Sequence, residues 1–543
     1  MMMSPITRLL KFIKLERQDL KILPILIFGY GLISIATPVS VQALVNIVTM
    51  GTVLQPLYVN SLILFLLLLL SGGIYVFESY IVELIQRRIF IRTDIETSQK
   101  TRWVDIQLYD QENPVELINR FFDVGTVQKS IATLLTTGLT ALLQIIIGSL
   151  ILIFYSAYLA MLILFVIGAL ILILRSLSKH ATETAITESK AKYAMASWLE
   201  NIAKNILAFK FYQGESRSVD QAHTLIKKYI NSRSKHFNIL LWQNISAALI
   251  YALGGTALLA LGGGLVIRGE INLGQFVAAE LIIFGVLGAL VRLVSKLDYF
   301  YDLLAALDKI GVLEDMPQEK NGMHQLENVQ VNTLKAVDIH FRYNEFIHLL
   351  QGITFELNKG QDLAILGNPG TGKSSLLKLI AKLRTPANGH LTLNQIDIRQ
   401  IDNNSVRNLM GLASDIEIIE GSILDNICLG RTIGIDEVNA MMHALGLAEE
   451  FNRLPEGIST AIAACGSPLS NSQLQRLMIA RAAIGKPSIL MIDGILDSFN
   501  ETELKTVMQM FKKHQQEWML IVTTRFAHIA KHFDQTLNLN KVD

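Results

Sequence analysis

The chain has 543 residues, of which 51% are hydrophobic and 17% are charged. A soluble globular chain usually carries about 25% charged residues, so the composition indicates a membrane protein, with about two to four domains at this length. The formal net charge of +1 gives no basic footprint of the kind that nucleic-acid binding requires. The two cysteines, Cys428 and Cys465, exclude a disulfide framework and a cysteine-based metal site.

Six apolar runs occupy the first 300 residues or so, and each is long enough to cross a bilayer as a helix of about 20 residues. The stretches "SLILFLLLLL" and "AMLILFVIGALILIL" have no polar face, which argues against buried helices of a soluble core. We therefore predict an all-α transmembrane domain over residues 1–315, with spans at about 22–46, 57–84, 131–154, 157–177, 243–267 and 273–295.

Lysine and arginine are unevenly distributed between the connections. The segments 85–130 and 175–242 are rich in both, whereas 47–56 has neither. By the positive-inside rule, both long connections and both termini are cytoplasmic, and helices two to five extend into the cytosol as stalks. The expected location is the cytoplasmic (inner) membrane, in contact with lipid. Residues 212–220, "YQGESRSVD", are expected at a stalk tip, either as a docking helix or as a solvated turn.

Two carboxylates, Glu78 and Glu280, fall inside predicted spans. Ionisable residues within a membrane are costly and are treated first as functional candidates. Either residue could face a polar passage, or it could lie at a packed polar contact between helices. The sequence leaves both possibilities open.

The composition becomes polar at residues 316–330, which we interpret as a linker. Beyond it, over residues 331–543, short apolar strands alternate with helices in the pattern of an α/β domain. We predict a P-loop NTPase domain there, because the stretch "AILGNPGTGKSSLL" has the P-loop spacing between a strand and a helix.

The P-loop predicts binding of ATP and Mg²⁺. Glycines let backbone N–H groups surround phosphate, and the following helix adds positive potential at its first turn. Lys373 would reach the β- and γ-phosphates, and Ser374 would ligate the Mg²⁺ ion. Asp493 ends the apolar strand "SILMID" and would hold the same ion through water. The nucleotide-binding residues so predicted are Gly367, Asn368, Pro369, Gly370, Thr371, Gly372, Lys373, Ser374 and Ser375.

With these motifs the sequence resembles the ABC transporters, as a half-transporter of exporter type similar to type I secretion and peptide exporters. "INLGQFVAAELII" and "ELINRFFDV" resemble segments of the membrane half. Tyr343 matches the aromatic residue that the family stacks on adenine. The stretch "LSNSQ" stands where the family has Leu-Ser-Gly-Gly-Gln, and its residues are Leu469, Ser470, Asn471, Ser472 and Gln473.

Several catalytic positions depart from the family pattern. Gly494 stands where the resemblance implies the catalytic Glu, Thr524 stands at the switch His, and Ser414 lies near the missing Q-loop Gln. A positioned general base contributes typically about 10²–10⁴-fold to rate, and glycine supplies none of it. Asp497 lies four residues after Asp493 and would need a different backbone path to substitute. The chain is therefore expected to bind ATP but to hydrolyse it weakly or not at all by itself.

The resemblance also implies partners. Two such chains pair head to tail, each giving its signature segment to the other's P-loop, and in a homodimer neither site would have a base. A heterodimer with a second ABC half-transporter chain is therefore favoured, with a secretion adaptor as a further candidate partner and no nucleic acid. The alternative is a non-hydrolysing structural subunit of a membrane secretion complex that ATP regulates. The sequence does not indicate the cargo.

Overall fold

The computed structural model describes residues 4–15, 21–49, 54–110, 114–211, 214–326, 330–343 and 348–540. The chain divides into two compact units. The first consists of Met1–Val104 and Gln111–Gln318, and the second of Asp105–Asp110 and Glu319–Asp543. The boundary at Gln318 falls within the expected linker, of which residues 327–329 lie outside the described residues.

The first unit is helical throughout its described part, apart from short turns. Its α-helices are α1 (Pro5–Leu15), α2 (Ile22–Ser34), α3 (Ala36–Thr49), α4 (Gln55–Thr101), α5 (Pro114–Asn119), α6 (Asp123–Thr133), α7 (Leu139–Tyr155), α8 (Ala157–Leu177), α9 (Ala181–Lys204), α10 (Ile206–Lys210), α11 (Gly214–Ile267), α12 (Leu273–Ser295) and α13 (Leu297–Glu314). A π-helical segment, Leu134–Gly138, connects α6 with α7.

Six stretches of this unit are long and apolar enough to cross a membrane. They run over Ile22–Thr49, Gln55–Thr101, Glu116–Tyr155, Ala157–Lys204, Gly214–Ile267 and Leu273–Glu314. The prediction of six spanning helices is thereby confirmed, and each predicted span lies within one of these stretches.

Two of the helices are much longer than a bilayer is thick. Helix α4 has 47 residues and α11 has 54. At a rise of about 1.5 Å per residue, each exceeds about 70 Å, against about 30 Å of hydrocarbon. Both are therefore longer than a single span requires, and the cytoplasmic stalks stay a prediction. Residues 212 and 213 of the expected stalk tip lie outside the described residues, and α11 begins directly after them.

Apolar side chains cover the outside of this unit as well as its core. Leu62, Phe65 and Leu69 of α4 are more than half exposed, as suits a surface that contacts lipid. Helix α12 lies inside, with Ala279, Leu287 and other small or branched residues fully buried. Glycines permit this close packing, since a Cβ at Gly254 of α11 would lie 2.9 Å from Leu287.

The second unit is α/β. Its strands are β1 (Thr333–Arg342), β2 (His348–Asn358), β3 (Asp362–Leu366), β4 (Asn388–Leu393), β5 (Ile396–Asp397), β6 (Met410–Ala413), β7 (Gly421–Ser422), β8 (Ala461–Ile462), β9 (Ile489–Asp493), β10 (Met519–Thr524) and β11 (Gln535–Asn538). Its α-helices are α14 (Lys373–Ile380), α15 (Asn403–Asn408), α16 (Ile423–Cys428), α17 (Ile435–Ala444), α18 (Ala448–Asn452), α19 (Asn471–Ala483), α20 (Glu501–Lys513) and α21 (Ala527–Ala530).

A parallel sheet of five strands, in the order β11-β3-β10-β9-β6, forms the centre of the second unit. All six residues of β10 are buried, as expected for a strand covered on both faces. An antiparallel sheet with the order β2-β1-β4-β5 packs beside it. Because the parallel strands share one direction, β3, β9, β10 and β6 end at one edge, where the candidate site lies. The fold prediction, a six-helix membrane domain with an α/β P-loop domain, is confirmed.

Candidate nucleotide-binding site

The P-loop occupies residues 367–375, between the end of β3 and the start of α14. The backbone of its first residue, Gly367, donates a hydrogen bond to the carbonyl of Thr524 at 3.2 Å, which fixes the loop to the neighbouring strand. Gly372 has φ +94°, and a Cβ there would lie 2.7 Å from Leu350. Only glycine fits such a backbone position without strain, so the sequence pattern is explained by local geometry.

Lys373 points back into its own loop. Its ammonium donates hydrogen bonds to the carbonyls of Gly367 at 2.7 Å and Asn368 at 2.8 Å. Burial lowers the pKa of Lys373, and the carboxylates of Asp497 and Asp493 oppose that shift. With Asn368, Pro369 and Gly370 exposed, this cationic loop fits a phosphate group, as the motif predicts.

Ser374 and Asp493 are the predicted Mg²⁺ ligands. Ser374 is exposed on the first turn of α14. Asp493 ends β9, is half-buried, and accepts a hydrogen bond from Thr523 Oγ1 at 2.7 Å. Within the described residues no cluster of three His, Cys, Asp or Glu side chains could hold a metal. That fits Mg²⁺, which binds through one or two protein oxygens together with phosphate and water.

Tyr343 lies beside the P-loop helix, with its ring partly exposed. Its hydroxyl is 3.0 Å from Ser375 Oγ on α14. The guanidinium of Arg384 lies 4.6 Å from the centre of its ring, and the same guanidinium bonds both carboxylate oxygens of Asp110 at 2.7 Å. The sequence reasoning missed Arg384 and Asp110. The only available signal was a basic residue shortly after the end of α14, which is too common to use.

Gly494 begins a tight turn after β9. It has φ +67°, and the next residues, Ile495–Ser498, form a 3-10 helix. This turn brings Asp497 to the end of β10, where its carboxylate accepts hydrogen bonds from the Thr524 hydroxyl and from the Arg525 backbone N–H at 3.1 Å. The sequence predicts that Asp497 would need a different backbone path to substitute for a catalytic glutamate. The 3-10 turn places Asp497 at the same strand edge as the P-loop, and its inability to substitute stays a prediction.

The two other altered positions also lie at this edge. Thr524 is fully buried at the end of β10, and its hydroxyl is engaged with Asp497. Ser414 directly follows β6, whose last residue, Ala413, pairs with Ile492 beside Asp493. The structure therefore brings Gly494, Thr524 and Ser414 together, although none of the three has a side chain that could act as a general base.

The signature-like segment forms a well-ordered helix start. The Ser470 hydroxyl caps α19 by accepting from the Gln473 N–H, while the Gln473 side chain accepts from the Ser470 N–H at 2.7 Å. Leu469 is buried and Asn471 is exposed. Ser472 donates a hydrogen bond to Glu503, which directs its side chain back onto the unit. Asn471 and Ser472 stand where the resemblance implies glycine. Of these two residues, Asn471 is therefore the one whose side chain remains on the exposed surface of the segment.

Comparisons with known proteins agree with this geometry. Residues 350–496 match the family model described as ABC transporter, and residues 20–290 match the model described as ABC transporter transmembrane region. The chain belongs to the ABC transporters. The expected resemblance is thereby confirmed, and family membership implies that this ABC transporter binds ATP.

Individual relatives are similar over most of the chain. A Rickettsia bellii protein named as an export ATP-binding/permease protein is 24% identical over 92% of this chain and 88% of its own. The lactococcin-G-processing and transport ATP-binding protein LagD of Lactococcus lactis is 23% identical over 86% of this chain and 67% of its own. The leukotoxin translocation ATP-binding protein LktB of Mannheimia glucosida is 27% identical over 52% of this chain and 40% of its own.

A solved structure of a bacterial Atm1-family ABC exporter with ATP bound covers 96% of this chain and 93% of its own, with a TM-score of 0.85 and 18% identity. At that identity the similarity establishes the fold. This ABC transporter is of export type and is an integral membrane protein.

Proposed function

We propose that this export-type ABC transporter subunit binds Mg-ATP at residues 367–375 and hydrolyses it weakly or not at all by itself. The observation that carries the proposal is made at the edge where the parallel strands end. The phosphate-binding loop is formed there, but within the described residues a side chain in position to act as a general base is lacking. The P-loop and its lysine are formed, while Gly494 has no side chain, and the carboxylate of Asp497 at the same edge is already engaged. It accepts hydrogen bonds from the Thr524 hydroxyl and the Arg525 N–H, and the Arg525 guanidinium forms an ion pair with it at 3.8 Å.

Both carboxylate oxygens of Asp497 already accept hydrogen bonds, Oδ1 from the Thr524 hydroxyl and Oδ2 from the Arg525 N–H. Asp497 is therefore a poor replacement for a catalytic glutamate, although the fold brings it to the site. When bound, ATP would supply the phosphate groups that Lys373 and the loop N–H groups hold. Ser374 and Asp493 would hold Mg²⁺, and Tyr343 would offer a ring face to adenine on the side away from Arg384.

The subunit is proposed to work as a dimer, with a second ABC half-transporter chain as the preferred partner. In a heterodimer the partner's P-loop would meet this chain's signature-like segment. The Ser470 cap and the start of α19 are formed, and Ser472 is held against Glu503, so Asn471 alone of the two non-glycine residues would face the partner's nucleotide. A partner that carries the catalytic glutamate could then hydrolyse ATP at one of the two sites of the dimer.

Both termini and the nucleotide-binding unit are proposed to be cytoplasmic, in the cytoplasmic membrane of a bacterial-type cell. The support is the excess of Lys and Arg in the segments 85–130 and 175–242. Peptides or proteins are the proposed class of cargo, because two relatives are named for lactococcin G and leukotoxin transport. A secretion adaptor remains a candidate partner on the same ground.

The decisive experiment is Mg-ATP hydrolysis by the purified full chain in lipid nanodiscs, together with binding of a fluorescent ATP analogue. Lys373→Ala is the control for contaminating ATPase and for lost binding. We expect nucleotide binding that Lys373→Ala abolishes, with turnover no higher than in that variant. Turnover at least tenfold above the control would overturn the missing-base proposal, and absence of nucleotide binding would overturn the site itself.

A second measurement separates the transporter from a purely regulatory subunit. Adding the candidate half-transporter partner should raise turnover, and Ser470→Ala in this chain should lower that gain. Strong stabilisation by ATP without any hydrolysis in the presence of the partner would favour a structural subunit of a secretion complex instead.

A further inference from the structure

A polar cavity lies inside the membrane unit, where five elements converge. Its volume is about 200 Å³. On this measure a water molecule needs about 10–15 Å³, so the cavity has room for a group of several heavy atoms. Its polar lining consists of Tyr30 of α2, Tyr75 and Glu78 of α4, Thr136 and Thr137 of the π-helical segment, Thr140 of α7, and Arg292 of α12.

Glu78 is the strongest sign that the cavity takes a ligand. Its side chain is 2% exposed, and its Oε1 atom has no hydrogen-bond partner within the described residues. A buried carboxylate without a partner is costly, and most at the depth of a membrane span. An orphaned oxygen on a cavity wall is therefore a place where a donor group from outside the chain would be stabilised.

Arg292 supplies the opposite charge to the same cavity without pairing with Glu78. Glu78 and Arg292 both lie in the described part of the chain, and no nitrogen–oxygen distance of 4.0 Å or less joins them as an ion pair. The guanidinium instead donates a hydrogen bond to Gln144 Oε1 at 2.7 Å. Glycines make room for this pair, since a Cβ at Gly285 would lie 3.3 Å from Gln144 and a Cβ at Gly288 would lie 3.4 Å from Arg292.

The hydroxyl groups that line this cavity can accept hydrogen bonds even where they already donate one. Thr136 Oγ1 donates to the carbonyl of Ala132 at 2.8 Å, which leaves its oxygen as an acceptor. Thr136 and Thr137 lie in the π-helical segment Leu134–Gly138, a form that is frequent at functional sites. A cavity lined by hydroxyl acceptors, a carboxylate and a guanidinium matches a ligand that carries both an ammonium and an anionic group.

We propose that this cavity binds the zwitterionic part of a transported molecule, with its primary ammonium at Glu78 and its anionic group at Arg292. Amino acids, the ends of short peptides and the phosphatidylethanolamine headgroup share this chemistry. The inference rests on membership of the export-type ABC transporters and not on the ATPase proposal, so binding is measured without nucleotide.

The test uses the full chain in nanodiscs of phosphatidylcholine and phosphatidylglycerol. Equilibrium binding of alanylalanine is compared with that of N-acetyl-alanylalanine, which lacks the ammonium, and of alanylalanine amide, which lacks the carboxylate. A second arm uses nanodiscs that contain phosphatidylethanolamine and measures retained lipid by native mass spectrometry. Binding in the first arm identifies a free zwitterion, and selective retention in the second identifies a lipid.

Whichever probe binds, Glu78→Gln and Arg292→Gln should each weaken its binding at least tenfold. Glu280→Gln is the matched control, because Glu280 is a second carboxyl in a predicted span that does not line this cavity, and it should leave binding unchanged. Glu78→Gln should fold normally, since no internal ion pair of Glu78 is lost.

Binding of neither probe, equal binding of the acetylated dipeptide, or wild-type affinity in Glu78→Gln would overturn the proposal. The ligand comparison on the unmodified chain decides the question even if a variant fails to fold.

Discussion

The hydroxyl of Thr524 donates a hydrogen bond to the carboxylate of Asp497, and this contact joins the end of β10 to the turn that follows β9. The resemblance to the family predicts that Thr524 stands at the switch-histidine position. Its hydroxyl is directed away from solvent and into this contact, with the side chain fully buried. The Thr524 side chain is therefore bonded within the unit at this edge of the sheet.

Replacing Thr524 by Val removes the donor but keeps the shape of the side chain. Because the buried carboxylate would lose a hydrogen bond, we expect the free energy of unfolding to fall by about 1.5–3 kcal/mol. Thermal or denaturant unfolding of the full chain measures the change. Thr524→Ser keeps the hydroxyl and is the matched control. An unchanged stability in Thr524→Val, with a loss confined to Thr524→Ser, would show that packing of the methyl group matters and the hydrogen bond does not.

Asp497→Asn tests whether this carboxylate acts as a base. Since both of its oxygens already accept hydrogen bonds, we expect the turnover of Asp497→Asn to equal that of the unmodified chain, with neither above the Lys373→Ala background. A general base would contribute typically about 10²–10⁴-fold. A loss of that size on substitution by Asn would mean that Asp497 does act on the attacking water.

Gly494→Glu restores the side chain that the family carries after the Walker B strand. The backbone at Gly494 has φ +67°, and nothing lies within 4 Å of an added Cβ. A non-glycine residue there costs about 1–2 kcal/mol in strain, without a steric clash. We expect Gly494→Glu and the control Gly494→Ala to lose the same stability.

The turnover of Gly494→Glu should remain close to that of Gly494→Ala. The physical reason is that a base alone does not restore the missing histidine and Q-loop glutamine. ATPase assays of both variants in nanodiscs compare them directly. A rise of about 100-fold or more in the glutamate variant alone would show that only the base is absent.

Arg384 couples Tyr343 to Asp110. Its side chain is 4% exposed, whereas that of Asp110 is 39% exposed. Because the Asp110 end is open to solvent, we expect a coupling energy of only about 1 kcal/mol between Arg384→Lys and Asp110→Asn in a double-mutant cycle on unfolding. Lysine keeps the charge but loses the planar guanidinium, whose Nη2 donates to both carboxylate oxygens of Asp110. Arg399→Lys, at a solvent-exposed pair with Asp397, is the control and should show no measurable loss. Strictly additive effects of the Arg384 and Asp110 variants would contradict the coupling.

Asp362, at the start of β3, gives a pH-dependent contribution to stability. Burial, with Asp534 nearby, raises the pKa of Asp362 to about 6. The folded chain then binds more protons than the unfolded chain between about pH 4 and 6, so this group lowers stability as the pH rises through that window. Above about pH 6 its contribution is constant.

Asp362→Asn should therefore be more stable than the unmodified chain at pH 7, and the difference should shrink as the pH approaches 4. Unfolding midpoints measured at several pH values test the prediction. Asp534→Asn removes only the neighbouring charge and should give a smaller gain of the same sign. A difference that does not depend on pH between 4 and 7 would contradict the assignment.

The sequence by itself determined the architecture and the phosphate loop. The conformation of a P-loop depends on local sequence. Glycines a few residues apart, between a strand and a helix, determine its backbone without any contribution from distant parts of the chain. Spanning helices are local as well, because about 20 apolar residues are enough to define one. The absence of a base at Gly494 needed no structure either, because glycine carries no side chain in any fold.

Tertiary structure decided which distant side chains meet. Asp497 and Thr524 are 27 residues apart in the chain and touch because β9 and β10 are adjacent and parallel. Asp110 and Arg384 are 274 residues apart, and Glu78 and Arg292 belong to different helices of the membrane unit. Strand order and helix packing arise from burying apolar surface over the whole chain, so no local pattern around any of these residues specifies its partner.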